Sequence, residues 1–75
     1  QSEAQGLLGH ILFAGDYGLR QRPTGLMWLT LARDGAGRKH PWIGEYHEAA
    51  FKQATDTERA LALGLIERWL EGRKQ

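Results

Sequence analysis

Apolar residues recur along this chain at steps of three and four, in four separate segments. This period is typical of helices that bury one face. In the first segment, from Ser2 to about Ala14, the stripe consists of Leu7, Leu8, Ile11 and Leu12. Gly15 follows the last periodic residue, where it can take the left-handed conformation that ends a helix. The pattern therefore predicts a first helix that stops at Gly15.

A second helix is predicted from about Arg22 to Arg33. Pro23 suits its first turn, because proline fixes φ and needs no N–H partner there. Its buried stripe is expected to contain Leu26, Trp28, Leu29 and Ala32, broadened by Met27 and Leu31. A glycine-marked turn at 15–18 precedes this helix, so it should fold back on the first as an antiparallel pair. Residues 35–39 are expected to form the C-terminus of a helix and a linker.

The second half of the chain predicts another helix pair. Pro41 opens a helix that should end near Ala54, and a fourth helix should follow to about Glu71. Thr55 and Glu58 have the spacing of a capping box at its start. No segment shows the alternation of a strand, so the predicted fold is all-α: two antiparallel hairpins stacked as a short α/α solenoid.

Two glycines stand inside predicted helices, where glycine costs up to about 1 kcal/mol relative to alanine. Gly9 lies in the first helix and Gly64 in the fourth. Because glycine has no side chain, it allows a neighbouring helix to approach closely, and this is its expected role. The sequence therefore predicts a tight helix contact at each of these positions.

The length of 75 residues sets the scale of the fold. It predicts one domain, 1–75, with a first α/α unit over 2–35 and a second over 40–72. A chain this short buries a modest core and is marginally stable unless something else supports it. With no cysteine, neither disulfides nor thiolate zinc sites are available. Further repeats or a partner protein are the expected support.

Charge is nearly balanced, with a formal net charge of +1, but it is unevenly distributed. The segment between Tyr17 and Gly44 contains five basic residues and one acidic residue, Asp34. A local basic face can steer an acidic partner, whereas the overall balance argues against a dedicated nucleic-acid binder.

Seven residues match the pattern A-x3-L-G-x2-[YL]-x2-G followed by W-x3-A. They are Ala4, Leu8, Gly9, Leu12, Gly15, Trp28 and Ala32. The pattern resembles the Sel-one-like repeat, a relative of the tetratricopeptide repeat built from stacked α/α hairpins. The sequence departs from it where Gly18 stands one place late, Gln21 replaces Asp, Gly25 replaces Ala and Arg33 replaces the second closing Ala.

The second half keeps less of this pattern. One period of 35 residues after Leu8-Gly9, the step of an apolar residue and a glycine recurs at Ile43-Gly44. His47 and Ala50 then replace the expected Leu and Gly. The second hairpin is therefore expected to be a diverged or terminal repeat.

The resemblance implies a non-catalytic scaffold or accessory subunit that binds another protein, docked on a larger and possibly envelope membrane complex. It supplies no catalytic residues. The candidate partner contacts are exposed aromatic and basic side chains, namely Arg20, Arg22, Arg38, Lys39, Trp42, Tyr46 and Trp69.

Two other function classes have weaker support from the residues. A small nucleic-acid-binding domain is the alternative, but the second helix is too apolar to enter a DNA groove. For an enzyme, the chain shows no nucleophile with its base and no carboxylate pair in a defined frame. His47-Glu48 begins like the zinc motif H-E-x-x-H, yet Phe51 stands where the second histidine belongs. No metal and no cofactor are expected, and His10 is expected to be solvated.

Localisation is predicted mainly from the resemblance, because these repeats are common in bacterial periplasmic proteins. No apolar run approaches the roughly 20 residues of a membrane span. The start lacks the features of a signal peptide, and it is not a methionine, so a mature form or a fragment is expected. The expectation is the periplasm or cell envelope of a bacterium, with the cytoplasm as the alternative.

Overall fold

The structure is a computed structural model that describes residues 2–15, 21–36 and 39–73. The described residues form four helices: α1 (Ser2–Ala14), α2 (Arg22–Ala36), α3 (Pro41–Gln53) and α4 (Asp56–Arg73). No strand occurs in these ranges, and the all-α prediction is confirmed. Apart from the end of α2, each helix begins and ends within two residues of its predicted bounds.

The prediction was wrong at the end of α2, which continues through Gly35 and Ala36. The helix was expected to end at about Arg33, with these residues at its C-terminus and in a linker. Ala36 is buried with Ala32 and Ile43 in one of the two apolar clusters of the core. Packing against α3 therefore sustains the extra turn of helix.

The tightest contact of the fold joins α1 to α2 in an antiparallel hairpin. A Cβ placed on Gly9 would lie 2.8 Å from both the carbonyl oxygen of Gly25 and the backbone nitrogen of Leu29. A Cβ on Gly25 would lie 2.5 Å from the backbone nitrogen of Phe13. Only glycine allows the two backbones to approach this closely, which confirms the close approach predicted at Gly9.

Gly15 ends α1 as predicted. Its φ is 79°, in the left-handed region, and its N–H donates to the carbonyl oxygen of Ile11 at 3.1 Å. This hydrogen bond satisfies one of the free carbonyl groups that every helix end carries.

The helices of the second half lie beside those of the first: α3 runs parallel to α1, and α4 runs parallel to α2. Gly6 of α1 is adjacent to Ile43 of α3, and one turn further His10 stacks on Tyr46. In the other layer, Trp28 of α2 meets Trp69 of α4 edge to face at 6.2 Å between ring centroids. This arrangement places α1 beside α3 and α2 beside α4, as in two stacked hairpins.

The α2 helix is the centre of the molecule, because it packs against each of the other three helices. Leu29, 1% exposed, is among its most completely buried residues. The larger core cluster draws on all four helices or their ends, and it consists of Phe13, Leu26, Leu29, Ala50, Ala54 and Ala62.

The junction between α3 and α4 is fixed by hydrogen bonds. The N–H of Thr55 donates to Glu58 Oε1 at 2.8 Å, and the N–H of Glu58 donates to Thr55 Oγ1 at 3.1 Å. Both halves of the predicted capping box are thus present. Arg22 joins this junction from α2, donating to the carbonyl oxygen of Gln53 at 2.7 Å while its Nε lies 3.5 Å from Glu58 Oε2.

The predicted close contact at Gly64 was wrong. No atom of a neighbouring element lies within 4 Å of a Cβ built at this position. Whether a helical glycine marks a contact depends on what lies opposite, and α4 presents this side of its surface to open space.

The different surroundings of these glycines predict opposite effects of the same substitution. Gly25→Ala should lower the free energy of unfolding by about 1–3 kcal/mol, because the new methyl group forces apart two backbones. Gly64→Ala should raise it by up to about 1 kcal/mol, since it improves helix propensity without a clash. Urea unfolding followed by circular dichroism measures both. A stable Gly25→Ala variant with an unchanged unfolding midpoint would contradict this account of the hairpin.

Candidate functional site

The second helix pair lacks the tight contact of the first. One period of 35 residues after Gly9 and Gly25 stand Gly44 and Ala60. A Cβ on Gly44 would meet nothing within 4 Å, and Ala60 faces a groove. The helices meet near their junction, where Arg59 Nε of α4 donates to the carbonyl oxygen of Phe51 at 2.9 Å. Beyond that point α3 and α4 leave a space between them.

This space is an open groove of about 400 Å³, with α2 as its floor and α3 and α4 as its walls. We call it the open groove. Its lining is mostly apolar and comprises Leu26, Thr30, Arg33, His47, Phe51, Arg59, Ala60, Ala62, Leu63 and Ile66. A space of this size accommodates several side chains of a ligand.

A second groove follows α4 towards its carboxyl end. It has a volume of about 500 Å³ and lies between α4, the start of α1 and the end of α2. We call it the terminal groove. Its lining consists of Ser2, Gln5, Leu31, Asp34, Gly35, Ile66, Trp69, Leu70 and Arg73. The two grooves share Ile66.

The α4 helix is rich in apolar residues but buries little of them. Ala62 is its single fully buried residue. Leu61 is 55% exposed, Leu63 57% and Leu70 46%. Isolated exposed leucines are ordinary, whereas several on one helix beside open grooves are typical of an interaction surface. The apolar surface of α4 is thus only partly used for folding.

His47 forms part of the wall of the open groove, and its surroundings favour the neutral form of its ring. Its Nδ1 lies 3.3 Å from Nη1 of Arg33. Since a guanidinium only donates, Nδ1 is the acceptor. Burial lowers the pKa of His47, and the charge of Arg33 lowers it further against the opposing carboxylates of Asp34 and Glu48. The ring also stacks on Phe51 at 5.9 Å between centroids.

Among the described residues, the ligands of a metal site are not grouped around His47. Within residues 2–15, 21–36 and 39–73, no three histidine, aspartate or glutamate side chains are arranged to hold a metal ion. Phe51, which takes the place of the second histidine of the zinc motif, contributes an apolar wall instead.

The predicted aromatic contacts Trp42 and Tyr46 lie on another face, where α1 meets α3. Their rings pack edge to face with centroids 5.6 Å apart. Tyr46 is 37% exposed, and it stacks on His10 with 4.1 Å between centroids. His10 is therefore half-buried in an aromatic contact, and the prediction that it is solvated was wrong.

The remaining predicted contacts are dispersed. Arg22 is engaged within the chain, over the ring of Phe13 at 4.7 Å in addition to its bonds at the junction. Lys39 is exposed after α2. Trp69 lines the terminal groove. Arg20 and Arg38 lie outside the described residues. The structure does not gather the described members of this set into one site, and the role of all seven in binding stays a prediction.

Sequence reasoning missed the residues that line the open groove, above all Leu63, Ile66 and Arg33. The available signal was the seven-residue spacing of Leu63 and Leu70, which places them on one line of the helix.

The lowered pKa of His47 predicts a pH-dependent stability. Because its pKa is lowered in the folded state, the folded chain binds fewer protons than the unfolded chain as pH falls through about 6.5. The free energy of unfolding should therefore decrease from that pH down to the lowered pKa. In urea unfolding at pH 8 and pH 5, His47→Gln should lose less stability than the parent chain. Equal losses in the parent and His47→Gln would contradict this.

Among the described helices, none is both long enough and apolar enough to cross a membrane. In comparisons with known proteins, no family model matches the chain, and neither a curated protein nor a solved structure shows significant similarity to it. The likeness to Sel-one-like repeats thus remains an expectation from the sequence.

Proposed function

We propose that this chain is a non-catalytic protein-interaction module that receives a helix of another protein along α4. The observation that carries the proposal is the gap between α3 and α4, which leaves Leu63 57% exposed at the edge of an apolar groove. An intact second hairpin would have closed this gap.

The shape and chemistry of the open groove favour a helix as ligand. Helix-in-groove recognition places the apolar face of an amphipathic helix between the helices of a receptor, anchored by side chains at helical spacing. Here Leu26 and Ala62 line the groove with Leu63 and Ile66. Covering apolar surface yields about 25 cal/mol per Å², so a partner helix would stabilise a domain with a small core of its own.

The sequence resemblance supports a role as scaffold or accessory subunit, because Sel-one-like repeats bind other proteins. On the same ground we propose docking on a larger assembly of the bacterial periplasm or cell envelope. Trp69 would contribute directly, since it lines the terminal groove. Trp42 and Tyr46 would form a separate contact face at the junction of α1 and α3.

Nucleic-acid binding has less support than protein binding. Two arginines of the described residues are occupied within the chain, Arg22 on the carbonyl oxygen of Gln53 and Arg59 on that of Phe51. Their guanidinium groups are thus partly committed to the fold and less available for phosphate contacts.

Site-specific photo-crosslinking in the native host tests the proposed function. A photoreactive amino acid at position 63 should crosslink to one protein, because this side chain points into the open groove. The matched control is position 61, which is equally exposed on α4 but lines neither groove.

The crosslinked peptide, identified by mass spectrometry, should map to a helical segment of the partner. Identical crosslinking from positions 61 and 63, or none from position 63, would overturn the proposal of a groove-bound partner.

A further inference from the structure

We infer that occupation of the open groove opposes protonation of His47, so that the partner helix binds the chain whose His47 is neutral and is released in acid. This inference rests on the proposed function and specifies how the same site is regulated. The His47 ring is part of the wall of the groove, and the guanidinium group of Arg33 already lies against it.

His47 lies at the border of two hollows. One is the open groove between α3 and α4. The other has a volume of about 420 Å³ and lies beside α3, and the linings of the two share Arg33, His47 and Phe51. His47 is only 9% exposed. A helix seated in the open groove would therefore remove part of the little contact with water that the ring retains.

The guanidinium group of Arg33 fixes the ring of His47 as a hydrogen-bond acceptor. Its Nη1 lies 3.3 Å from Nδ1 of His47, while its Nη2 donates to Oδ1 of Asp34 at 3.2 Å. The contact with Asp34 thus helps to hold the guanidinium beside the ring. A proton on Nδ1 would turn this acceptor into a donor. Protonation of His47 therefore removes a hydrogen bond and places two cations side by side.

Charged groups from three helices surround the ring: Arg33 and Asp34 of α2, Glu48 and Lys52 of α3, and Arg59 of α4. The two carboxylates favour a proton on His47, but each already contacts a cation, Asp34 at Arg33 and Glu48 at Lys52. Among the described residues that line the open groove, the permanently charged ones are arginines alone. An apolar occupant would therefore bury a protonated ring on a side that offers no counter-ion.

These surroundings couple the proton on His47 to the occupant of the groove. Burial already lowers the pKa of His47, with the charge of Arg33 adding to the effect, and a bound helix increases that burial. By linkage, an occupant that lowers the pKa of the ring binds less tightly once the free chain takes up the proton. Affinity should therefore fall as pH decreases from the pKa of the free chain to the lower pKa of the complex.

An apolar group tethered in the groove tests this coupling without the partner. Because the sequence contains no cysteine, Leu63→Cys can be labelled at a single site with a naphthyl maleimide, which stands in for the occupant. The matched control is the same label on Leu61→Cys, at a similarly exposed position that lines neither hollow. The ring of His47 is titrated by NMR, and its signal is identified by its loss in His47→Gln. Circular dichroism checks that the helices are intact at each pH.

The label at position 63 should lower the pKa of His47 by about 0.5 relative to the label at position 61, which is about a threefold loss of proton affinity. Arg33→Gln should raise the pKa of His47 with either label, because it removes the adjacent cation. The same pKa with both labels, or a higher pKa with the label at position 63, would overturn the inference.

Crosslinking at two pH values tests the consequence for the partner. With the photoreactive amino acid at position 63, an extract of the native host should give up to about threefold less crosslinked product at pH 5 than at pH 8. In His47→Gln, which has no titratable ring at this position, the yield should differ less between the two pH values.

The outcomes separate the two proposals. Equal pH dependence of crosslinking in the parent chain and in His47→Gln would overturn the inference and leave the proposed function intact. No crosslink at either pH would overturn the proposed function itself, and the inference with it.

Discussion

The close approach of two backbones at Gly9 and Gly25 is the constraint on which the rest of the fold depends. It sets the distance between α1 and α2 at a value that no side chain would permit. With α1 held this closely, the other faces of α2 remain free to pack against α3 and α4. The corresponding positions of the second half, Gly44 and Ala60, make no such contact. The contrast between a closed and an open helix pair thus originates in the backbone contact of Gly9 with Gly25, where neither residue has a side chain.

Most of the fold could be predicted from sequence because its signals are local. Helical periodicity and the Thr55–Glu58 capping box depend on neighbours a few residues away, and the structure contains both. Long-range effects were harder to predict. Gly25 counted as a departure from the repeat pattern, yet it is the partner of Gly9 in the hairpin. Gly64 had the same local appearance and faces open space.

The candidate site was less predictable than the fold, since exposure is a property of tertiary structure. Residues chosen for their type were dispersed: Tyr46 stacks on His10, and Arg22 bonds to Gln53. The apolar spacing of α4 would be the same whether its leucines were buried or exposed. Only the arrangement of the four helices shows that Leu63 lies beside a groove.

The position of Arg22 has a consequence for cooperativity. This one side chain contacts the Phe13 ring of α1, the last carbonyl group of α3 and the Glu58 carboxylate of α4. Short tandem arrays often lose a terminal unit before the remainder melts, because neighbours interact across a single interface. Here the second helix pair is bound to the first through a residue that belongs to neither of its own helices. Fraying of α4 would expose the guanidinium and disturb the core at Phe13, so Arg22 couples the stability of the second helix pair to that of the first in spite of the open groove.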